Sequence, residues 1–253
     1  MVQALFVSDI HIRSPQDPKC ALFLRLLERC RELPGLPQLF LVGDIFDLWI
    51  ADRHHFVQCY QPVIDRVHAL RQGGARVHYF EGNHDLDLRV FWQEQLGVDV
   101  YESAAYFEIA GKTVRVEHGD QMDPEDSGYL FLRWLLRTRP MRAAGRRLPN
   151  RVVRWMGERA SRASRDYTST VKAIPDAVVL EKIRRHARGA HVLRPFEVFV
   201  SGHVHIEEDS WQQAGESCFH CFNLGTWLKH PRVLVMDEQG EALMDVERFL
   251  SAK

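Results

Sequence analysis

Five times along this chain an apolar, strand-like run breaks off into residues that can bind a metal ion. The breaks fall at Val7-Ser8-Asp9-Ile10-His11, Val42-Gly43-Asp44, Phe80-Glu81-Gly82-Asn83-His84-Asp85, Glu117-His118-Gly119-Asp120 and Val200-Ser201-Gly202-His203-Val204-His205. Glycine lets the backbone turn tightly, and Asp, Asn and His bring different donor, acceptor and ligand roles to the turn. Each site alone has an ordinary explanation: Asp9 as a cap, Asp44 as a turn residue after Gly43, His118 as a hydrogen-bonded core histidine. Packing does not explain the whole set. His203 and His205 are the most specific pair, because alternation in an extended segment sends both imidazoles to one face.

The periodicity between these breaks sets the fold class. Residues 4–8, 38–42 and 75–80 read as buried strands, separated by an amphipathic helix over 19–31, with Leu22, Leu26 and Cys30 on one stripe, and a second helix over 56–72. Strands alternating with helices imply a parallel sheet, and ligands of such sheets gather outside the carboxyl ends of the strands. After a helix expected over 88–96, a hairpin pairs 105–109 with 113–117. Short strands follow at 197–201, 209–213, 217–223, 232–237 and 242–249. The expected fold is α/β, two sheets packed face to face with helices outside, in a single domain over residues 1–253.

Between these parts lies a different segment, residues 123–191. From Arg133 to Lys172 there are eleven arginines and one lysine against Glu158 and Asp166, a local charge of 12 − 2 = +10, in a chain whose net charge is −1. Leu132, Trp134, Leu135, Trp155 and Met156 are interspersed. The segment reads as a helical cap inserted beside the site and facing substrate, with a solvated basic face as the alternative. The balanced total charge excludes a polycation built to coat nucleic acid. The N-terminus enters a strand directly, with no leader pattern, and no apolar run approaches the ~18 residues of a spanning helix. The five cysteines are odd in number and scattered, which suits a reducing cytoplasm. Cys218 and Cys221 form a lone C-x-x-C, with no second pair to complete a zinc site.

Asp9, His11, Asp44, Asn83, His118, His203 and His205 together offer carboxylates, imidazoles and an amide oxygen, with no thiolate. Such donors suit Mn²⁺, Fe²⁺, Zn²⁺ or Mg²⁺. They are too many for one tetrahedral site and fit two ions ~3.5–4 Å apart, an arrangement that clamps attacking and leaving oxygens in displacement at phosphorus. Asp44 is the natural bridge.

In this order and spacing the motifs resemble the calcineurin-like metallophosphoesterase superfamily. The resemblance implies a four-layer αββα sandwich, one ion held by Asp9, His11, Asp44 and His205, and another by Asp44, Asn83, His118 and His203. It also implies a metal-bridging hydroxide as nucleophile, with His84, held by Asp85, donating to the phosphoryl or leaving oxygen. Gly43-Asp44-Ile45-Phe46-Asp47-Leu48-Trp49, Asp126-Ser127-Gly128-Tyr129-Leu130, the Arg-rich insert and Leu224-Gly225-Thr226-Trp227 look like the UDP-2,3-diacylglucosamine pyrophosphohydrolases of lipid A biosynthesis. That branch usually carries Arg where this chain has His84. By this resemblance the substrate would be a lipid-linked nucleotide sugar, cleaved to 2,3-diacylglucosamine 1-phosphate and UMP. Asn83, His84, Asp126, Arg165, Ser169, Lys172 and His203 would touch it, and Mn²⁺ would be the favoured metal. The protein would be cytoplasmic, peripheral on the inner face of the inner membrane and in contact with anionic lipid. The competing expectations are a phosphoesterase of the same chemistry on a soluble substrate and a nucleic-acid-binding protein or nuclease using the basic insert.

Overall fold

A computed structural model describes residues 1–35, 37–148, 152 and 175–252. In chain order the strands are β1 (Val2–Val7), β2 (Gln38–Leu41), β3 (Trp49–Ile50), β4 (Val77–Phe80), β5 (Asp85–Leu86), β6 (Asp99–Tyr101), β7 (Ala105–Ile109), β8 (Lys112–Val116), β9 (Val198–Ser201), β10 (Glu207–Ala214), β11 (Ser217–Leu224), β12 (Arg232–Asp237) and β13 (Gly240–Asp245). The helices are α1 (Pro18–Glu32), α2 (His54–Cys59), α3 (Gln61–Gln72), α4 (Ser127–Arg137), α5 (Arg139–Arg147), α6 (Asp176–Leu193) and α7 (Val246–Ser251), with a π-helical turn at Arg89–Gln93.

Strand order in the first sheet is β13-β12-β1-β2-β4-β6, and in the second β10-β11-β9-β8-β7. β1, β2, β4 and β6 run parallel, as do β8, β9 and β11. Side-chain alternation sorts the strands into layers. Ala4 and Phe6 of β1, Phe40 of β2 and Phe80 of β4 meet Val114, Val116, Val198, Val200 and Phe222 of the second sheet. Leu5, Val7, Leu39, Leu41, Val77 and Tyr79 point the other way, onto Phe23, Leu26 and Leu27 of α1 and Val63, Ile64 and Val67 of α3. On the far side, Phe199, Phe219 and Cys221 pack under Ile183, Ala187 and Ala190 of α6. The result is the expected four-layer αββα sandwich. Its outermost helix over the second sheet, α6, comes from the stretch expected to belong to the insert.

Local chemistry explains the element ends. Asp17 accepts from Lys19 N at 3.0 Å and Pro18 fills the first turn of α1, a position where its missing N–H costs nothing. The expected 56–72 helix divides at Tyr60 into α2 and α3, and the expected 88–96 helix is only the π-helical turn. The strand expected over 242–249 ends at Asp245, whose carboxylate accepts from Glu247 N at 2.8 Å and Arg248 N at 3.2 Å and so starts α7. Two short strands unforeseen from the sequence matter for the site. β3 and β5 pair in parallel, Trp49 opposite Asp85, and tie the loop after β2 to the loop after β4.

Candidate metal centre

All five breaks lie just past the carboxyl ends of parallel strands: β1, β2 and β4 in one sheet, β8 and β9 in the other. Asp9, Asp44 and His118 are buried. Two clusters form. Ligand atoms of Asp9, His11 and His205 lie within 4.8 Å of one another, and so do those of Asp44, His118 and His203, while Asp44 joins His11 and His84 in a third such group. Asp44 therefore stands between the two clusters. His11 Nε2 is 3.1 Å from His205 Nε2, and His205 Nε2 is 3.1 Å from Asp9 Oδ1. In the other cluster Asn83 Oδ1 lies 3.0 Å from His203 Nδ1 and 3.4 Å from His118 Nε2, and Asp44 Oδ2 lies 3.7 Å from His118 Nε2.

The backbone is bent to make this happen. Asp9, His11, Asp44, His203 and His205 all have φ between 49° and 72°, the left-handed region that non-glycine residues rarely enter. His203 and His205 thus converge through left-handed turns, not through the strand alternation expected from sequence, and they go to different clusters. The glycines leave room for the ligands. A Cβ on Gly82 would overlap Asp44 Oδ1, on Gly43 His118 Nδ1, and on Gly202 Asp9 Oδ2.

The donors fit divalent cations. Asp9 Oδ1 is buried without a hydrogen-bond donor, a costly state that a cation would relieve. Two imidazole nitrogens facing each other, as in His11 and His205, share no hydrogen bond unless one carries the proton, whereas both lone pairs can bind a metal. His118 Nδ1 is 2.9 Å from Val42 O; a carbonyl only accepts, so Nδ1 carries the hydrogen and Nε2 is left toward Asn83 and Asp44. Electrostatics divide the histidines. Burial lowers His11 to about 4, against the pull of Asp44 and Asp9. Burial, then His118, lower His203 to about 4. Burial works to raise Asp9, yet His205, His118 and His11 hold it below the usual carboxylate range. His118 and His205 go the other way: burial works to lower them, yet Asp44 and Asp9 raise both, so a cation binding there would displace protons.

His84 and Asp85 differ from expectation. His84 joins the Asp44 group, and its Nδ1 donates to Asp47 O at 2.8 Å, so Nε2 is free of that bond. Asp85 does not hold His84. Its carboxylate accepts from Ile45 N at 2.8 Å and Tyr79 OH at 2.8 Å, bracing the loop that carries Asp44. Burial, then Asp44, push the Asp85 carboxyl up to about 7. Asp126 caps α4, accepting from Tyr129 N at 3.0 Å. Arg165, Ser169 and Lys172 lie outside the described residues.

Sequence reasoning missed several supports. Asn223 donates to Gly202 O at 2.6 Å and Ser201 Oγ at 3.0 Å, and Thr226 and Trp227 N both donate to Asp9 O at 3.1 Å. The Leu224-Gly225-Thr226-Trp227 motif was visible, and its task is to brace the Asp9 turn. The described arginines of the insert are also not simply a surface for phosphate: Arg133, Arg137 and Arg142 pair with Asp120, Glu81 and Glu102.

The family description for calcineurin-like phosphoesterases matches residues 3–207. The chain belongs to this family. It is a metal-dependent hydrolase, and the family implies divalent ions at the two clusters. Among curated relatives, the UDP-2,3-diacylglucosamine hydrolase of Aeromonas salmonicida is 27% identical over 213 residues, covering 81% of this chain and 78% of that protein. The protein of the same name from Pseudomonas fluorescens is 27% identical, covering 93% of this chain and 92% of its own length. That from Stenotrophomonas maltophilia is 25% identical, covering 96% and 98%.

Proposed function

We propose that this phosphoesterase cleaves the pyrophosphate of a lipid-linked nucleotide sugar, UDP-2,3-diacylglucosamine, to 2,3-diacylglucosamine 1-phosphate and UMP. Supporting this reading are the names of its relatives over most of its length and one structural observation, the outward apolar face of α4 beside a two-cluster metal site. Phe131 and Trp134 are each 61% exposed, 5.8 Å apart by ring centroid, an arrangement suited to acyl chains or the surface of a lipid bilayer. Among the described residues no helix is long and apolar enough to cross a membrane, so any membrane contact would be peripheral.

In this reading Asp9, His11, His205 and Asp44 hold one ion, and Asp44, Asn83, His118 and His203 the other, with Mn²⁺ the favoured metal. Such ions supply Lewis acidity that activates water at neutral pH and neutralises charge on phosphoryl oxygens. The protein's residues do the rest. The buried carboxylates and strained turns fix the ligand positions before substrate arrives. His84 is oriented by Asp47 O, which leaves Nε2 as the atom that would donate to the departing phosphoryl oxygen. Purified protein supplied with Mn²⁺ is expected to release UMP from UDP-2,3-diacylglucosamine in detergent. Good hydrolysis of simple phosphodiesters with no release of UMP would refute the substrate.

A second reading has one observation in its favour. Arg133, Arg137 and Arg142 are engaged in internal ion pairs, which removes them from the charge available to grip a diphosphate, so a soluble phosphodiester is the alternative. The same pairs count against nucleic-acid binding by these arginines.

A further inference from the structure

We propose that the inward stripe of α4 positions one half of the metal centre, so that Tyr129, Arg133 and Arg137 set how firmly Asn83, His118 and His203 hold their ion. The proposal rests on reading the two clusters as a two-ion site.

Tyr129, Arg133 and Arg137 are spaced four apart and so share one face of the helix. That face is polar and turns inward, while Phe131 and Trp134 face out. Tyr129 OH and Arg133 Nε both donate to Asp120 Oδ2 at 2.6 Å. Arg133 also donates to Glu102 O at 2.7 Å. Asp120 lies two residues after His118, and its side chain is only 2% exposed. The Tyr129 ring also lies 6.4 Å from the His203 ring, which is 5.1 Å from His118. Farther along, Arg137 Nε donates to Glu81 Oε2 at 3.2 Å, Glu81 being fully buried and two residues before Asn83. Asp120 and Glu81, the two carboxylates that the stripe grips, thus lead to the Asn83, His118 and His203 cluster. Asp9 and His11 sit on the first sheet's β1 loop, braced by Thr226 and Trp227, and no hydrogen bond or ion pair among the described residues joins them to α4.

Hydrogen bonds made directly to a ligand fix its orientation, and removing them typically weakens metal affinity by about 10- to 100-fold. The bonds of the stripe act one step farther out, through Asp120 and Glu81, so their effect should sit at the low end of that range. Here the asymmetry gives a signature that general destabilisation would lack, because only one of two ions should respond. Arginine matters by its fork, which reaches Asp120 and Glu102 together, so lysine should replace it only in part.

The test is stepwise Mn²⁺ loading of the full-length protein, followed by electron paramagnetic resonance and calorimetry, on Arg133→Gln, Arg133→Lys and Tyr129→Phe. Arg25→Ala, which breaks an exposed pair between α1 and Glu247 of α7, is the control. Wild type should bind two ions. Arg133→Gln should keep one at wild-type affinity and bind the other about tenfold more weakly, with turnover recovering as Mn²⁺ is raised. Arg133→Lys should be intermediate, and Tyr129→Phe, which loses one hydroxyl and no volume, should move the same ion by less. Unchanged affinity for both ions in Arg133→Gln and Tyr129→Phe, even with a lowered melting temperature, would overturn the proposal. Equal weakening of both ions would do the same. A wild-type protein that binds no Mn²⁺ would refute the two-ion reading itself, a separate outcome.

Discussion

Asp9, His11 and His205 gather at a turn gripped from behind by the core, Thr226 and Trp227 bonding to Asp9 O, whereas Asn83, His118 and His203 are closed over by a helix that belongs to neither sheet. The first group is Asp, His and His, all three in the left-handed region, whereas the second has Asn83 in place of the carboxylate and only His203 left-handed, and Asp44 stands between them. What also separates them is which part of the fold supplies the support. The first group is a product of sandwich packing alone. The second also depends on buried ion pairs from α4, which stay in place only while both partners remain.

The largest effect comes from removing what the groups have in common. Asp44→Ala should cost several kcal/mol of charge stabilisation, on the order of a thousandfold in kcat/KM, with both ions lost. Metal analysis after dialysis checks it; retention of two ions would show that Asp44 does not join the groups. The glycines then separate them. Gly202→Ala drives a Cβ into Asp9 Oδ2, and Gly43→Ala into His118 Nδ1, so each should weaken mainly its own ion, by about 10- to 100-fold. Identical metal profiles for the two variants would erase the distinction.

A smaller effect belongs to a residue that serves the reaction more than the metals. His84→Ala should lower kcat on the order of 10²- to 10³-fold while both ions remain bound, as measured by metal content and turnover together. Loss of metal to the level of Asp44→Ala would make His84 a ligand. Smaller still is the outward face of α4. Trp134→Ser should raise KM for a lipid-linked substrate about tenfold, equivalent to ~1.4 kcal/mol of lost apolar contact, and leave hydrolysis of a soluble diester unchanged. Equal loss on both substrates would mean that Trp134 supports the helix and not the lipid.

The contrast between the two groups also marks what a sequence can reveal. Ligands at strand ends are legible because a buried strand announces itself by composition and the residues after it are adjacent in the chain. The layers were legible for the same reason: Ala4 and Phe6 face one way and Leu5 and Val7 the other. The stripe on α4 was not, since Glu81 and Arg137 are 56 residues apart and a run of arginines reads equally well as a phosphate surface. Asp85 was misjudged because the family resemblance carried over a bond to His84, while the backbone turn sends its carboxylate toward Ile45 and Tyr79. The strand expected over 242–249 failed on one side chain, Asp245, whose capping bonds local pattern undervalues.

A separate effect, on stability and not on turnover, tests whether acid sensitivity belongs to the site or also to the sandwich beneath it. His78, on β4 at the far end from the ligands, stacks on Phe40 and lies 3.2 Å from Tyr101 OH and 3.1 Å from Gln38 Oε1. Burial lowers it to about 4 from 6.5, outweighing Asp99, which raises it, while Arg76 and Arg71 lower it further. The folded state therefore binds fewer protons than the unfolded chain between these values, and stability contributed by neutral His78 is present above 6.5 and lost as pH falls toward 4. The full loss is on the order of 3 kcal/mol. Urea unfolding in EDTA at pH 7 and pH 4.5, for wild type and His78→Phe, isolates it, because the site imidazoles titrate in both proteins. The variant should lose less stability between the two pH values. Parallel losses would confine the acid response to the metal centre.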